Sequence, residues 1–408
     1  MAKILVITDD PNATTGNGKV CKNLLKEFEK LGHTITSIIA WNCLGGNNKF
    51  HYKLWPIDPS KQIDHDTGLK VQYALKLEDP DIIFCHGDIW NFQYMPHMKT
   101  RAKKIGYLTV DFEPLSTKYK DAWESFDALI TPSVFGQKTI SKYIGLASAY
   151  IPEGIDPEIF KPQAKEVKEV IIKNLKNNAM KNNLNMPSFF ITMLARPIQR
   201  KNLPAGIRAI GKLAYEHSDI AHICLYDLMK SGVNAYEHDM TACHNRYLPP
   251  KMAKFAVSDV GPISQNCTDE IIASYLSVSN ILVMPTMGEG FGLPVLEAMA
   301  CGCVPVVTNC TSMPDLVQPD RGYLVDVGAI ITDVASDTKN MEQSLISDVA
   351  LYEAIKHAYN HPEKLAKMSS NGIAYSHKFT WERCAKSIDK IMLDALSGTK
   401  NMIVMEKV

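Results

Sequence analysis

The chain has 408 residues, long for one hydrophobic core and well suited to two domains. Its 44 Lys and Arg residues balance 44 Asp and Glu residues, so no global charge draws it to nucleic acid or to an anionic membrane. Ten cysteines follow no disulfide-framework spacing, which points to a reducing, cytoplasmic setting. The chain opens directly into a strand pattern, so no secretory leader is expected. It has no apolar run long enough for a transmembrane span, and peripheral membrane contact stays open.

Ile4–Thr8 reads as a strand and leads into a loop with Gly16 and Gly18. A helix follows, with Val20, Leu24, Phe28 and Leu31 on one face, and Thr34–Ala40 reads as the next strand. This is the opening of a Rossmann-like domain. The dinucleotide fingerprint is not met, because Cys21 stands where its third glycine belongs. Asp81–Cys85 is a further strand that ends at His86 and Asp88, and Lys104–Thr109 another that ends at Asp111 and Glu113. Ligands gather at the carboxyl ends of strands in open α/β sheets, so these four polar residues stand where chemistry is expected. Ala128–Thr131, a helix from Ser133 and Ser148–Ile151 complete the first half. The Lys- and Asn-rich stretch 163–187 reads as an exposed helix and linker.

Phe189–Leu194 opens a second Rossmann-like half. Arg196 and Lys201 lie between this strand and a helix marked by Leu203, Ile207, Ile210 and Leu213. A guanidinium forks onto phosphate oxygens and an ammonium adds a point charge, while Arg200 is expected to be exposed. Ala221–Tyr226 is a strand, and 227–255 reads as irregular. His238 and His244 lie there without a third ligand at a convincing spacing, so no metal is assigned. The apolar run Ile281–Met284 reads as a buried strand. After it, Gly288, Gly290 and Gly292 let the backbone turn sharply, and Pro294 suits the first turn of a helix that Gly302 ends. That loop offers the N–H groups of Phe291, Gly292 and Leu293 at a positive helix end, a natural seat for phosphate or a sugar hydroxyl. Glu289 in the loop and Glu297 in the first helical turn bracket the seat. Val304–Thr308, a late strand at 321–326 and three helices close the chain, the last starting near Thr380.

Gly288-Glu-Gly-Phe-Gly-Leu-Pro-Val-Leu-Glu-Ala-Met-Ala-Cys-Gly302 resembles the donor-site motif of the glycosyl transferases group 1 family. Arg196 to Asn202 is similar to the family's Gly-Arg-x4-Lys-Gly string, with Ala195 and Asn202 in place of its two glycines. The resemblance implies a GT-B fold, two Rossmann-like domains facing across a cleft. It implies an acceptor domain at 1–160, a nucleotide-sugar donor domain at 161–380 and a C-terminal helix, 381–408, that returns to the first domain. The implied activity is retaining and metal-independent, with no cofactor and a nucleoside diphosphate sugar, UDP- or GDP-linked, as co-substrate. In that scheme Gly16 and Gly18 close over the diphosphate, Glu297 binds the ribose and Glu289 the donor sugar. Asp111 stands where many members carry a histidine, and with His86 it is the acceptor-side candidate. The acceptor itself, whether sugar, lipid, small molecule or nucleic acid, is not readable. A basic patch at His97, Lys99, Arg101, Lys103 and Lys104 reads as a solvated loop. The competing reading is an inert nucleotide-sugar-binding partner protein.

Overall fold

A computed structural model of the chain describes residues 1–13, 15–41, 43, 50–57, 63–226, 238–256, 268–333 and 341–399. The chain divides into two compact units, Met1–Gly154 with Asp333–Met341 and Phe379–Val408, and Ile155–Thr332 with Glu342–Lys378.

The first unit is built on seven parallel strands: β1 Lys3–Asp9, β2 Thr34–Trp41, β3 Leu54–Pro56, β4 Ile82–Gly87, β5 Lys103–Leu108, β6 Ala128–Thr131 and β7 Ala149–Tyr150. Their order is β3-β2-β1-β4-β5-β6-β7. β1, β4 and most of β2 are buried runs of Ile, Val, Leu and Phe, as a sheet covered on both faces requires. The order reverses between β1 and β4, so the carboxyl ends of these two strands form the unit's switch point. The last helix, Trp381–Ser397, belongs to this unit and packs on the helix Gly16–Lys30. His33 Nε2 lies 2.8 Å from Asp389 Oδ1 across that contact. The turn before the helix is so close that a Cβ on Gly154 would meet Trp381 N at 2.3 Å.

The second unit carries six parallel strands: β8 Phe189–Leu194, β9 Ile220–Leu225, β10 Ala253–Ala256, β11 Ile281–Met284, β12 Val304–Thr308 and β13 Tyr323–Val325. Their order is β10-β9-β8-β11-β12-β13, with the switch point between β8 and β11. β14 Val327–Asp333 and β15 Met341–Ile346 pair as a separate two-stranded sheet that the sequence reading did not contain.

Two expectations need correction. The stretch 163–187 is not simply a solvated face: Lys165–Lys181 is one helix whose Leu175 and Ala179 are buried against Phe190, Ala221 and Ile223. Its sparse apolar positions recur at helical spacing beneath the lysines, which is how an amphipathic helix covers a sheet. Nor is 227–255 irregular where described, since it holds a helix, Met240–Tyr247, and strand β10. Residues 227–237 of that stretch lie outside the described residues. Among the described residues, no helix is long and apolar enough to cross a membrane.

Candidate functional site

At the second unit's switch point, the loop after β11 and the loop after β8 are fastened together. Gly292 caps the helix Leu293–Ala300 with φ +104°, a left-handed conformation that favours glycine. A Cβ there would also meet Met313 Cε at 2.5 Å. Pro294 sits in the first turn, where its missing N–H leaves no bond unmade. Phe291, Gly292 and Leu293 are buried at that helix start. Glu297 is buried too, but the helix starts at Leu293, so it lies in the second turn and not the first. First-turn dipole stabilisation therefore does not explain it.

Glu289 is the centre of the loop and is 6% exposed. Lys201 Nζ donates to its Oε1 at 2.5 Å, and Thr286 Oγ1 donates to the same oxygen at 2.8 Å. Arg200 Nη1 lies 3.5 Å from Oε2 and also donates to the Gly288 carbonyl. Burial works to raise the Glu289 pKa, but the charges of Lys201 and Arg200, with the hydrogen bonds from Lys201 and Thr286, hold it below the ordinary carboxyl value. The backbone is anchored as well. Glu289 N donates to Thr311 Oγ1 at 2.8 Å, and Ser312 Oγ donates to the carbonyls of Glu289 and Phe291 at 2.8 and 3.0 Å. Met287 N donates to the Arg200 carbonyl at 2.8 Å.

Arg200 was expected to be exposed and is instead drawn onto the glycine loop, with 30% of its side chain accessible. The reason is local. Gln199–Lys201 forms a 3-10 turn that ends at Asn202 with φ +47°. That turn brings Arg200 and Lys201 together onto Glu289, while Arg196, which precedes it, is exposed. Asn202, where the family string has glycine, tolerates this left-handed conformation better than most residues and opens the helix Leu203–Glu216. Thr286, Thr311 and Ser312 were not singled out from the sequence; the signal available for the last two was their place just past the carboxyl end of β12.

In the first unit the helix begins at Gly16, so both glycines lie in its first turn and not in the loop before it. Gly18 N donates to Thr15 Oγ1 at 3.0 Å, and Thr15 Oγ1 donates to Asp9 Oδ2 at 2.6 Å. A Cβ on Gly18 would meet the carbonyl oxygens of Ala13 and Asp10 at 2.5 and 2.8 Å, whereas Gly16 has open space. His86, at the end of β4, is 1% exposed. Its Nδ1 lies 2.9 Å from the Tyr107 carbonyl oxygen, which can only accept, so Nδ1 carries the proton. Burial pushes its pKa down to about 4, against that hydrogen bond, and the ring is neutral at physiological pH. Asp88 accepts from Thr109 Oγ1 at 2.7 Å. Glu113 accepts from Tyr143 Oη at 3.1 Å and from Lys142 Nζ at 3.2 Å. Asp111 is half-buried just after β5. The basic patch is partly neutralised: Arg101 pairs with Asp79, and Lys103 lies 3.3 Å from Asp127.

The glycine loop falls inside a recognised segment. Residues 250–342 match the Glycosyl transferases group 1 family. Over this segment the chain is similar to that family. The chain is also similar to O-antigen chain mannosyltransferase B of Escherichia coli, 33% identical over 116 residues, which are 28% of this chain and 26% of that one. Matched stretches span between 22% and 29% of the length of three such curated relatives. Solved structures extend the likeness of fold to the whole chain. A glycosyltransferase from Rickettsia africae has a TM-score of 0.70 at 16% identity, covering 98% of this chain and 99% of its own. The Anabaena protein HepE, in complex with UDP and glucose, has a TM-score of 0.72 at 15% identity, covering 97% and 100%. The chain therefore has the GT-B fold, two Rossmann-like α/β domains.

Proposed function

We propose that the protein is a glycosyltransferase that moves a sugar from a nucleoside diphosphate sugar, UDP- or GDP-linked, to an acceptor, with retention of anomeric configuration and without a catalytic metal. The observation that carries this reading is the convergence of Lys201 and Arg200 on buried Glu289 in the glycine loop that heads Leu293–Ala300. As the glycosidic bond breaks, negative charge grows on the leaving diphosphate. Lys201, the exposed guanidinium of Arg196 and the amides at the start of that helix are suited to stabilise it, the part a metal ion plays in other sugar transferases. Arg200, Lys201 and Glu289 together sum to one positive charge. Glu289 is held ionised and can accept hydrogen bonds from sugar hydroxyls, while Glu297 is assigned to the ribose.

Gly16 and Gly18 are assigned to the donor diphosphate, and the open space at Gly16 is compatible with close approach. On the acceptor side Asp111 is the better candidate. His86 is enclosed and tied to the Tyr107 carbonyl, which suits positioning of its strand end more than contact with substrate. That HepE was solved with UDP and glucose supports a nucleotide-sugar donor here by analogy.

The test starts with a thermal-shift screen over UDP, GDP and ADP, in which one base is expected to raise the melting temperature. Turnover of the matching sugar nucleotide without added Mg2+ or Mn2+ follows, with the product anomer read by NMR. Binding without transfer or slow donor hydrolysis would overturn the enzyme reading, and a strict requirement for added Mg2+ would overturn metal independence.

A further inference from the structure

Away from the residues assigned to the donor, the second unit buries a cluster of imidazoles and a thiol. His222 and Cys224 are two positions apart on β9 and so face the same side of the sheet. His244 reaches them from the helix Met240–Tyr247. His222 and Cys224 have no exposed surface and His244 is 6% exposed. Their ligand atoms all lie within 4.8 Å of one another. Cys224 Sγ is 4.0 Å from His244 Nε2, and Tyr226 Oη is 2.7 Å from the Nε2 atoms of both histidines.

The protonation pattern follows from the partners. His222 Nδ1 lies 2.9 Å from the Ile191 carbonyl oxygen, which can only accept, so Nδ1 carries the proton and Nε2 a lone pair. Tyr226 then donates to His222 Nε2, and His244 Nε2–H donates to Tyr226 Oη. A backbone carbonyl on the far nitrogen of an imidazole is also the usual device that orients a metal-ligating histidine.

We propose that His222 Nε2, Cys224 Sγ and His244 Nε2 form a binding site for a zinc-class divalent cation, with Tyr226 Oη in reach as the fourth ligand. This inference stands apart from the proposed sugar transfer, because none of these residues is assigned to donor or acceptor. Two imidazole nitrogens and one sulfur are donors of the type zinc takes, and tetrahedral zinc holds its ligand atoms roughly 3.3–3.6 Å apart. The cluster therefore needs a contraction of up to about 1.5 Å to close on an ion. Hydrogen bonding alone gives little reason for the sulfur, which is a weak donor and acceptor. On binding, the Cys224 thiol releases its proton to solvent and binds as thiolate, and the His244 proton moves from Nε2 to Nδ1. Tyr226, which loses His222 Nε2 as its acceptor, releases its proton to solvent and ligates as phenolate. Burial pushes the Cys224 thiol up to about 12 and opposes the thiolate until the ion binds. The charge of Lys254, opposite His222 on β10, favours the thiolate to a smaller degree and opposes the ion. The ion would clamp the helix Met240–Tyr247 onto β9.

The experiment uses the full chain without a histidine tag. Metal content is measured by mass spectrometry, the protein is stripped with a chelator, and Co2+ is titrated in. The expected result is one Co2+ per chain with a thiolate-to-cobalt charge-transfer band, displaced by Zn2+. Cys224→Ser should lose that band while keeping its thermal shift with the preferred nucleoside diphosphate. A wild-type chain with no saturable band, or a band that persists in Cys224→Ser, overturns the site. Should Cys224→Ser fail to fold, His244→Gln gives a second reading: Co2+ affinity is expected to fall at least about tenfold, and unchanged affinity overturns the site.

Discussion

In the second unit, two cations from the loop after β8 converge on a buried carboxylate in the loop after β11, and hydroxyls from just past β12 fasten that second loop. In the first unit the polar residues at strand ends have separate local partners: His86 meets a backbone carbonyl, Asp88 a threonine, Glu113 a tyrosine and a lysine. Both units are parallel sheets with a switch point, so topology does not make the difference. Convergence does. A carboxylate held ionised in a buried place by two cations supports the proposed donor, whereas the polar groups of the first unit, apart from the unpartnered buried His86 Nε2, are equally consistent with shaping strand ends. This is why the proposed function assigns more residues to the donor than to the acceptor.

The largest expected effect breaks the convergence at its cation. Lys201→Ala should lower kcat for sugar transfer by about a hundredfold to a thousandfold, as loss of one positioned charge at a developing anion does. Steady-state turnover with the preferred donor measures this, and a change below tenfold would put the growing charge elsewhere. Glu289→Gln tests the other end through stability. Removing one partner of a buried ion pair costs about 3 kcal/mol at neutral pH. The sign with pH follows from a carboxyl held below its ordinary value of 4.5. Its contribution is fully present above that value and is lost as pH falls through the lower, folded value. The gap between wild type and Glu289→Gln, read from denaturant midpoints, should therefore close in acid.

How much of this was legible in the sequence depends on whether the signal was local. The glycine loop was, because Gly292, Pro294 and Gly302 act on their own backbone. The choice between Arg196 and Arg200 was not, because it turns on a 3-10 turn and the left-handed Asn202, which spacing alone does not reveal. The histidine–cysteine cluster was hidden for a related reason. His222 and Cys224 lie inside a strand that reads as apolar, and their third member arrives from a helix in a stretch that reads as irregular. The sheets themselves were largely legible, since buried parallel strands announce themselves as continuous aliphatic runs.

Backbone geometry gives a smaller effect in the second unit. Gly292→Ala should cost about 1–3 kcal/mol, because the left-handed conformation is strained for alanine and Met313 must move. An unchanged denaturant midpoint would show that the loop relaxes. In the first unit the counterpart is His86. Its folded pKa of about 4 lies below the ordinary 6.5, so unfolding takes up a proton between these values. Stability from this residue is present above the higher value and is lost as pH falls toward the lower one, by up to about 1.4 kcal/mol per pH unit. His86→Asn keeps a donor for the Tyr107 carbonyl and should flatten that slope while leaving nucleoside diphosphate binding unchanged.

The smallest effect sharpens the comparison from the surface. Lys99, Arg101 and Lys103 belong to the first unit, and two of them already face acids, Asp79 and Asp127. Exposed pairs of this kind are screened by salt and contribute little to stability. Changing all three to alanine should leave both melting temperature and the thermal shift with nucleoside diphosphate unaltered. If donor binding weakens, the first unit supplies charge to the diphosphate, and the division between a convergent second unit and a locally satisfied first unit fails. If only sugar transfer to an anionic acceptor slows, as a raised KM for acceptor at constant kcat, the patch acts in acceptor recognition and the first unit has a convergent site of its own.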